Sequence, residues 1–134
     1  MIQAGIFNLL SQNSSIAAMA GSNPARIWPV LLPEDPTLPA ITYHVIGGAS
    51  MPTLSTSGMQ RLRMQFDCWG ADYDDAATLR AALIAALNGY QGTLSDGTYL
   101  QYAQLIGPGT DFFEDAPRTF RCLCEFYLLY DLNS

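Results

Sequence analysis

One histidine, three cysteines and twelve carboxylates are the residues of this chain best suited to chemistry. His44 falls in the alternating run Ala40-Ile-Thr-Tyr-His-Val-Ile46, out of phase with Ile41, Tyr43 and Val45, which are expected to point inward. A triad histidine needs a serine or cysteine beside it on a sharp turn, and no G-x-S-x-G occurs. His44 therefore reads as a surface or interface side chain. Cys68, Cys122 and Cys124 take inward positions of strands, where alternate residues stand too far apart for the compact cysteine knuckle of a zinc site. They read as small core hydrophobes. Asp72-Tyr-Asp-Asp75 lacks the glycine and distal glutamate of a calcium loop, and helix capping accounts for it. No G-K-[ST] follows Gly107-Pro-Gly109, and a strand comes next, so this is not a phosphate loop. Among the acids, Glu125 and Asp67 alone stand in an apolar context that could ready a carboxylate for proton transfer. The expectation is a chain without catalytic residues, metal ligands or a cofactor.

The elements that would position these residues are organised around Arg61–Leu87. In Arg61-Leu-Arg-Met-Gln-Phe-Asp-Cys-Trp69, Leu62, Met64, Phe66 and Cys68 share one face, and Arg61, Arg63, Gln65 and Asp67 share the other. A period of two marks a sheet with one dry side. The segment 72–87 repeats Ala76, Leu79, Leu83 and Leu87 at helical period, with Asp72 as its cap and Gly89 as its left-handed stop. Strand and helix should pack on each other.

Around this unit, Met1–Leu10 reads as an amphipathic helix and Ile16–Ala20 as a second apolar turn. Arg26–Leu32 is strand-like but carries Pro29, which suits a sheet edge. Five of the eight prolines lie between residues 24 and 39, giving a rigid connector before the strand Ala40–Ile46. Residues 47–58 carry no charge and open on Gly-Gly. This long loop is either a floppy surface segment or one that orders on a partner. Asp96-Gly97 marks a hairpin, whose second arm should stop at Gly107-Pro-Gly109. Thr110–Pro117 then reads as an acidic loop holding Phe112 and Phe113. Arg118–Tyr130 is a last strand, apolar on one face and partly apolar on the other, hence central in a covered sheet or buried between subunits. The fold class is α+β: one domain over 1–134, with a largely antiparallel or mixed sheet packed against two main helices.

Composition narrows the function. With 49% apolar and 13% charged residues the chain is globular and has much neutral surface. A net charge of −6, with six arginines and no lysine, argues against gripping nucleic acid, which requires neutralising phosphates. Arginine is also favoured at protein interfaces. Three cysteines are an odd number, none in a C-x-x-C pair, which points to a reducing compartment. No signal peptide pattern is visible, and the longest wholly apolar run, Ala81–Leu87, is too short for a membrane span. A soluble protein made inside the cell is expected.

Four segments, in order, resemble the tail terminator, or tail completion, proteins of long-tailed phages and prophages. They are Arg26-Ile-Trp-Pro-Val-Leu-Leu-Pro33 with Leu38-Pro-Ala-Ile-Thr-Tyr43; the Arg63–Gly70 strand ending Asp67-Cys-Trp-Gly70; the alanine-rich helix ending Leu87-Asn-Gly-Tyr-Gln-Gly92; and Arg118–Tyr130 after the acidic aromatic loop. The last strand departs from the pattern, ending Leu128-Leu-Tyr130 where a tryptophan is expected. The resemblance implies a structural protein, made in the host bacterial cytoplasm, that forms a ring, typically a hexamer, on the head-proximal end of the tail tube. Its partners would be copies of itself, the major tail tube protein and the head–tail connector or stopper protein, with DNA passing through the lumen unbound. Such an acidic ring would line a duct that repels DNA. The 47–58 loop (Met51, Leu54) and the 111–115 loop (Phe112, Phe113) are the expected partner contacts, and Arg61, Arg63 and Arg121 the expected subunit contacts. A head-side connector or stopper is the alternative, followed by a small ligand-binding α+β domain with a concave polar pocket.

Overall fold

The computed structural model describes residues 2–21, 25–34, 36–50, 59–114 and 119–131. Three helices, α1 (Ile2–Ser11), α2 (Ser14–Ala20) and α3 (Tyr73–Leu87), cover one face of a six-stranded sheet. The strands are β1 (Ile27–Pro29), β2 (Ala40–Ser50), β3 (Met59–Gly70), β4 (Gly92–Thr93), β5 (Tyr99–Glu114) and β6 (Thr119–Asp131). Their order across the sheet is β1-β2-β3-β6-β5-β4. All neighbours are antiparallel except β1, which runs parallel to β2. The fold is α+β, as expected: the sheet is mixed, and its helical layer is made by the two longer helices, α1 and α3, with the short α2 at the second apolar turn.

Local chemistry sets the element ends. Asp72 accepts a hydrogen bond from the Asp75 N–H at 2.9 Å, and Asp74 and Asp75 sit at the positive end of the α3 dipole. Asn13 caps α2 in the same way through the Ile16 N–H, at 3.1 Å. Gly89 takes φ of 78° just beyond α3, the left-handed stop that the sequence indicated. At the hairpin the Leu94 N–H donates to the Thr98 carbonyl, and the Asp96 carboxylate receives the Thr98 N–H and hydroxyl. The Arg26 guanidinium stitches the proline-rich connector to the helices, donating to the carbonyls of Pro39 and Met19.

The core lies between sheet and helices. Met64, Phe66 and Cys68 of β3 and Cys124, Phe126 and Leu128 of β6 are buried against Leu79, Leu83 and Leu87 of α3. Ile6, Leu10 and Ile16 close the layer from the first two helices. Phe66 and Phe126 meet edge to face, with centroids 5.9 Å apart. β6, with apolar residues on both sides, is central between β3 and β5, the first of the two placements its pattern allowed.

Three expectations are corrected. β5 does not stop at Gly107-Pro-Gly109 but absorbs it as a bulge between Ile106 and Thr110, and residues 110–114 pair with β6. The expected acidic loop is thus strand through Glu114, and its remainder lies outside the described residues. Gly47–Ser50 are likewise strand, paired with Gln60–Arg63; residues 51–58 of that loop, with Met51 and Leu54, lie outside the described residues. Val45 is exposed where an inward position was expected: it stands opposite Met64 on the helix-facing side, but in the stretch of β2 that β1 no longer flanks.

Candidate functional site

The sheet face opposite the helices carries the charged and aromatic side chains that the sequence singled out. Here Asp67, only 4% exposed, accepts from Gln65 Nε2 at 2.8 Å and from the Thr42 hydroxyl at 3.5 Å. Thr42 in turn receives the Trp69 indole N–H at 2.9 Å. Arg121 lies 3.9 Å from the Asp67 carboxylate, with its guanidinium over the rings of Trp69 and Phe112. Further along, Arg63 donates to Glu125, and both Arg61 and Arg63 sit over the Tyr127 ring. Of the three arginines expected at subunit contacts, Arg63 and Arg121 thus spend charge within their own chain, and Arg61 is the exposed one.

The other face shows a second arrangement, at the outer end of β5. Arg80 of α3 bridges to the Asp111 carboxylate at 2.6 Å, and the Tyr73 hydroxyl donates to the same carboxylate at 3.0 Å. Partial burial works against charge on Asp111, but these two donors outweigh it and lower its pKa. The bond from Asp111 raises the Arg80 pKa despite that side chain's burial. Gly109 makes this approach possible: at φ of 92°, a Cβ there would stand 2.5 Å from the Leu123 carbonyl oxygen and 3.1 Å from Arg80. Phe113 packs on Phe120, and Tyr73 meets Phe120 edge to face. Phe112 and Phe113 consequently point to opposite faces of the sheet.

Among the described residues, the large exposed apolar side chains are Val30, Leu31, Val45 and Ile46 near the β1–β2 edge, Tyr102, Phe112 and Phe113 at intervals along β5, and Tyr73 at the start of α3. They are between 38% and 75% exposed. Val30 has φ of 67°, which a β-branched residue rarely adopts, while its N–H is held by the Tyr43 carbonyl. Sequence patterning missed this group because Val45 and Ile46 read as inward and as the end of a strand. Their exposure depends on how far β1 runs beside β2, which ends at Tyr43.

His44 is half-buried on β2. The three cysteines are fully buried free thiols. Burial pushes the Cys68 thiol well up, Cys122 to about 11 and Cys124 to about 12, so all three stay protonated at neutral pH. Among the described residues no group of three or more histidine, cysteine or carboxylate side chains could hold a metal, and no helix is long and apolar enough to cross a membrane. A cleft between α1 and the β4–β5 hairpin is lined by Gly5, Asn8, Gln12, Tyr90 and Thr93 among others, with no charged side chain. What the molecule offers is edges and a braced sheet face, the equipment of a structural protein built to meet other proteins.

Comparison with known proteins supplies the particular class. Residues 4–131 match the family described as tail completion protein gp17, and the chain belongs to that family. It is a structural component of a phage tail. The fold is shared with a chain of the solved virion of a native gene transfer agent particle, with a TM-score of 0.75 and 17% identity over 97% of this chain and 94% of that one. No match was found among curated proteins.

Proposed function

We propose that copies of this chain close into a ring, a hexamer, on the head-proximal end of the tail tube. The ring ends tube-protein polymerisation and presents a face to the head's connector or stopper protein. The observation that carries this reading is family membership over nearly the whole chain, and the two unlike apolar edges support it. A ring needs one heterologous contact, made by two different patches of the same subunit. Arg61 is the arginine best placed for a subunit contact, because it is exposed and pairs with Ala49 near the outer part of β2. Phe113, with Met51 and Leu54, is assigned to contacts with the tube or connector protein, and Phe112 to a contact between copies. The formal charge of −6 per copy suits a lumen through which DNA slides without being held.

The test is to add purified protein to growing tail tubes and follow tube length by electron microscopy, with light scattering of the protein alone. Arrest of growth, with ring density at one tube end, is the expected result. Uninhibited growth, with the protein instead recovered on tailless heads, would replace this reading with the connector one.

A further inference from the structure

Exposed Val45, Ile46 and Phe112 lie where the sheet lacks a flanking strand. β1 covers β2 only as far as Tyr43, and β4 covers β5 only at Tyr99 and Leu100. Among the described residues no strand pairs with the outer edge of β2 over 45–50, nor with that of β5 over 106–112. Unpaired edges are ordinarily kept short or guarded by charge. Residues 45–50, Val-Ile-Gly-Gly-Ala-Ser, contain no charge and no proline.

We infer that, in the ring proposed above, subunits join edge to edge: the outer edge of β5 in one copy pairs with the outer edge of β2 in the next. Three features of the topology agree. First, β5 runs in the same direction as β3 and β2 runs opposite, so a rotation that carries one copy to the next brings the two edges together antiparallel. Second, moving along β3, the open stretch of β2 ends at Val45 and that of β5 ends at Phe112. Aligned antiparallel, Phe112 therefore comes level with Val45 and Ile46, with Phe112 and Val45 on opposite faces of the joined sheet, while Gly47 and Gly48 come against the Gly107–Gly109 bulge. Pro108 removes one donor at the bulge, so Thr110–Phe112 carry the regular ladder.

The third feature is the stagger. Residues 45–50 are level with 60–64 of β3, whereas 106–112 are level with 121–125 of β6 and thus with 65–69 of β3. The midpoints, Leu62 and Asp67, differ by about five residues, or about 16 Å along the strands. Four strand spacings separate β2 of one copy from β2 of the next, about 19 Å. Closure without axial drift then requires strands inclined by about 40°, within the usual inclination of closed sheets. A two-fold pairing of β2 with β2 would leave the β5 edge and Phe112 uncovered.

The inference rests on the ring reading, and cross-linking separates their failures. The double variant Ile46→Cys/Phe112→Cys is treated with a short bifunctional thiol reagent, each single variant serving as control. The native thiols are buried and protonated, so they do not compete. The expected result is a ladder of linked multimers from the double variant and monomer from either single one. Linked dimers from Ile46→Cys alone would identify a two-fold contact and overturn the inference. Rings seen by microscopy without a ladder would overturn it while leaving the ring reading in place. Absence of rings from the wild-type chain, alone and on tube ends, would remove both. As a check independent of linking, Ile46→Arg alters an exposed residue, so monomer stability should be unchanged while ring yield falls about tenfold or more. Unchanged yield would contradict the edge contact.

Discussion

Whether Arg121 serves its own fold can be settled by cutting its partnership with Asp67. Asp67→Leu removes the acceptor for Gln65 and Thr42 and the counter-charge of Arg121 from a site only 4% exposed. Leaving those donors behind should cost about 2–4 kcal/mol. Arg121→Met leaves a buried carboxylate facing Gln65 and Thr42 and removes a cation from two rings. The 3.9 Å separation and a quarter-exposed Arg121 side chain (25%) reduce the cost, to about 1–3 kcal/mol. Because the same pair is broken in both, the double variant should fall short of the sum by about 1 kcal/mol. For 134 residues, the unfolding entropy is about 0.28 kcal/mol/K, so a 3 kcal/mol loss lowers Tm by about 10 °C. Urea unfolding of monomer, followed by Trp69 fluorescence at unchanged m-value, reads all three variants. Additivity within about 0.3 kcal/mol would refute the coupling between Asp67 and Arg121.

The Arg80–Asp111–Tyr73 cluster predicts an acid effect. Since the Asp111 pKa is lowered in the fold, its contribution is present above the unfolded carboxylate range and is lost as pH falls through the lowered folded value. Asp111→Asn should flatten that part of the acid unfolding curve, and an unaltered curve would count against the tether. The thiols predict the opposite limb: folded values raised to about 11 and about 12 at Cys122 and Cys124 make stability full below the unfolded thiol pKa and falling as pH rises toward those values. A thiol reagent at pH 8 should accordingly find no reactive cysteine in native protein and three in denatured protein. Gly109→Ala should cost about 2–3 kcal/mol in chemical unfolding, since it adds a Cβ against the Leu123 carbonyl at positive φ. A loss below about 0.5 kcal/mol would mean that β5 does not need its bulge.

Local order determined much of this protein. The alternation in Arg61–Trp69, the Asp72 cap, the Gly89 stop, the Asp96-Gly97 turn and the edge placement of Pro29 each follow from residues within a few positions of one another. So do the dry faces that bury Phe66 and Leu83. Tertiary structure decided the rest wherever a local signal competed with a distant ladder. Gly107-Pro-Gly109 has the composition of a strand end, yet β6 offers a row of backbone partners long enough to carry β5 past it as a bulge. Asp67 sits on the polar parity of its strand, and only the arrival of Thr42 from β2 and Arg121 from β6 buries it. The exposed edges were illegible for the same reason. Which side of a strand lies unpaired depends on strand order, and strand order is set by contacts remote in sequence.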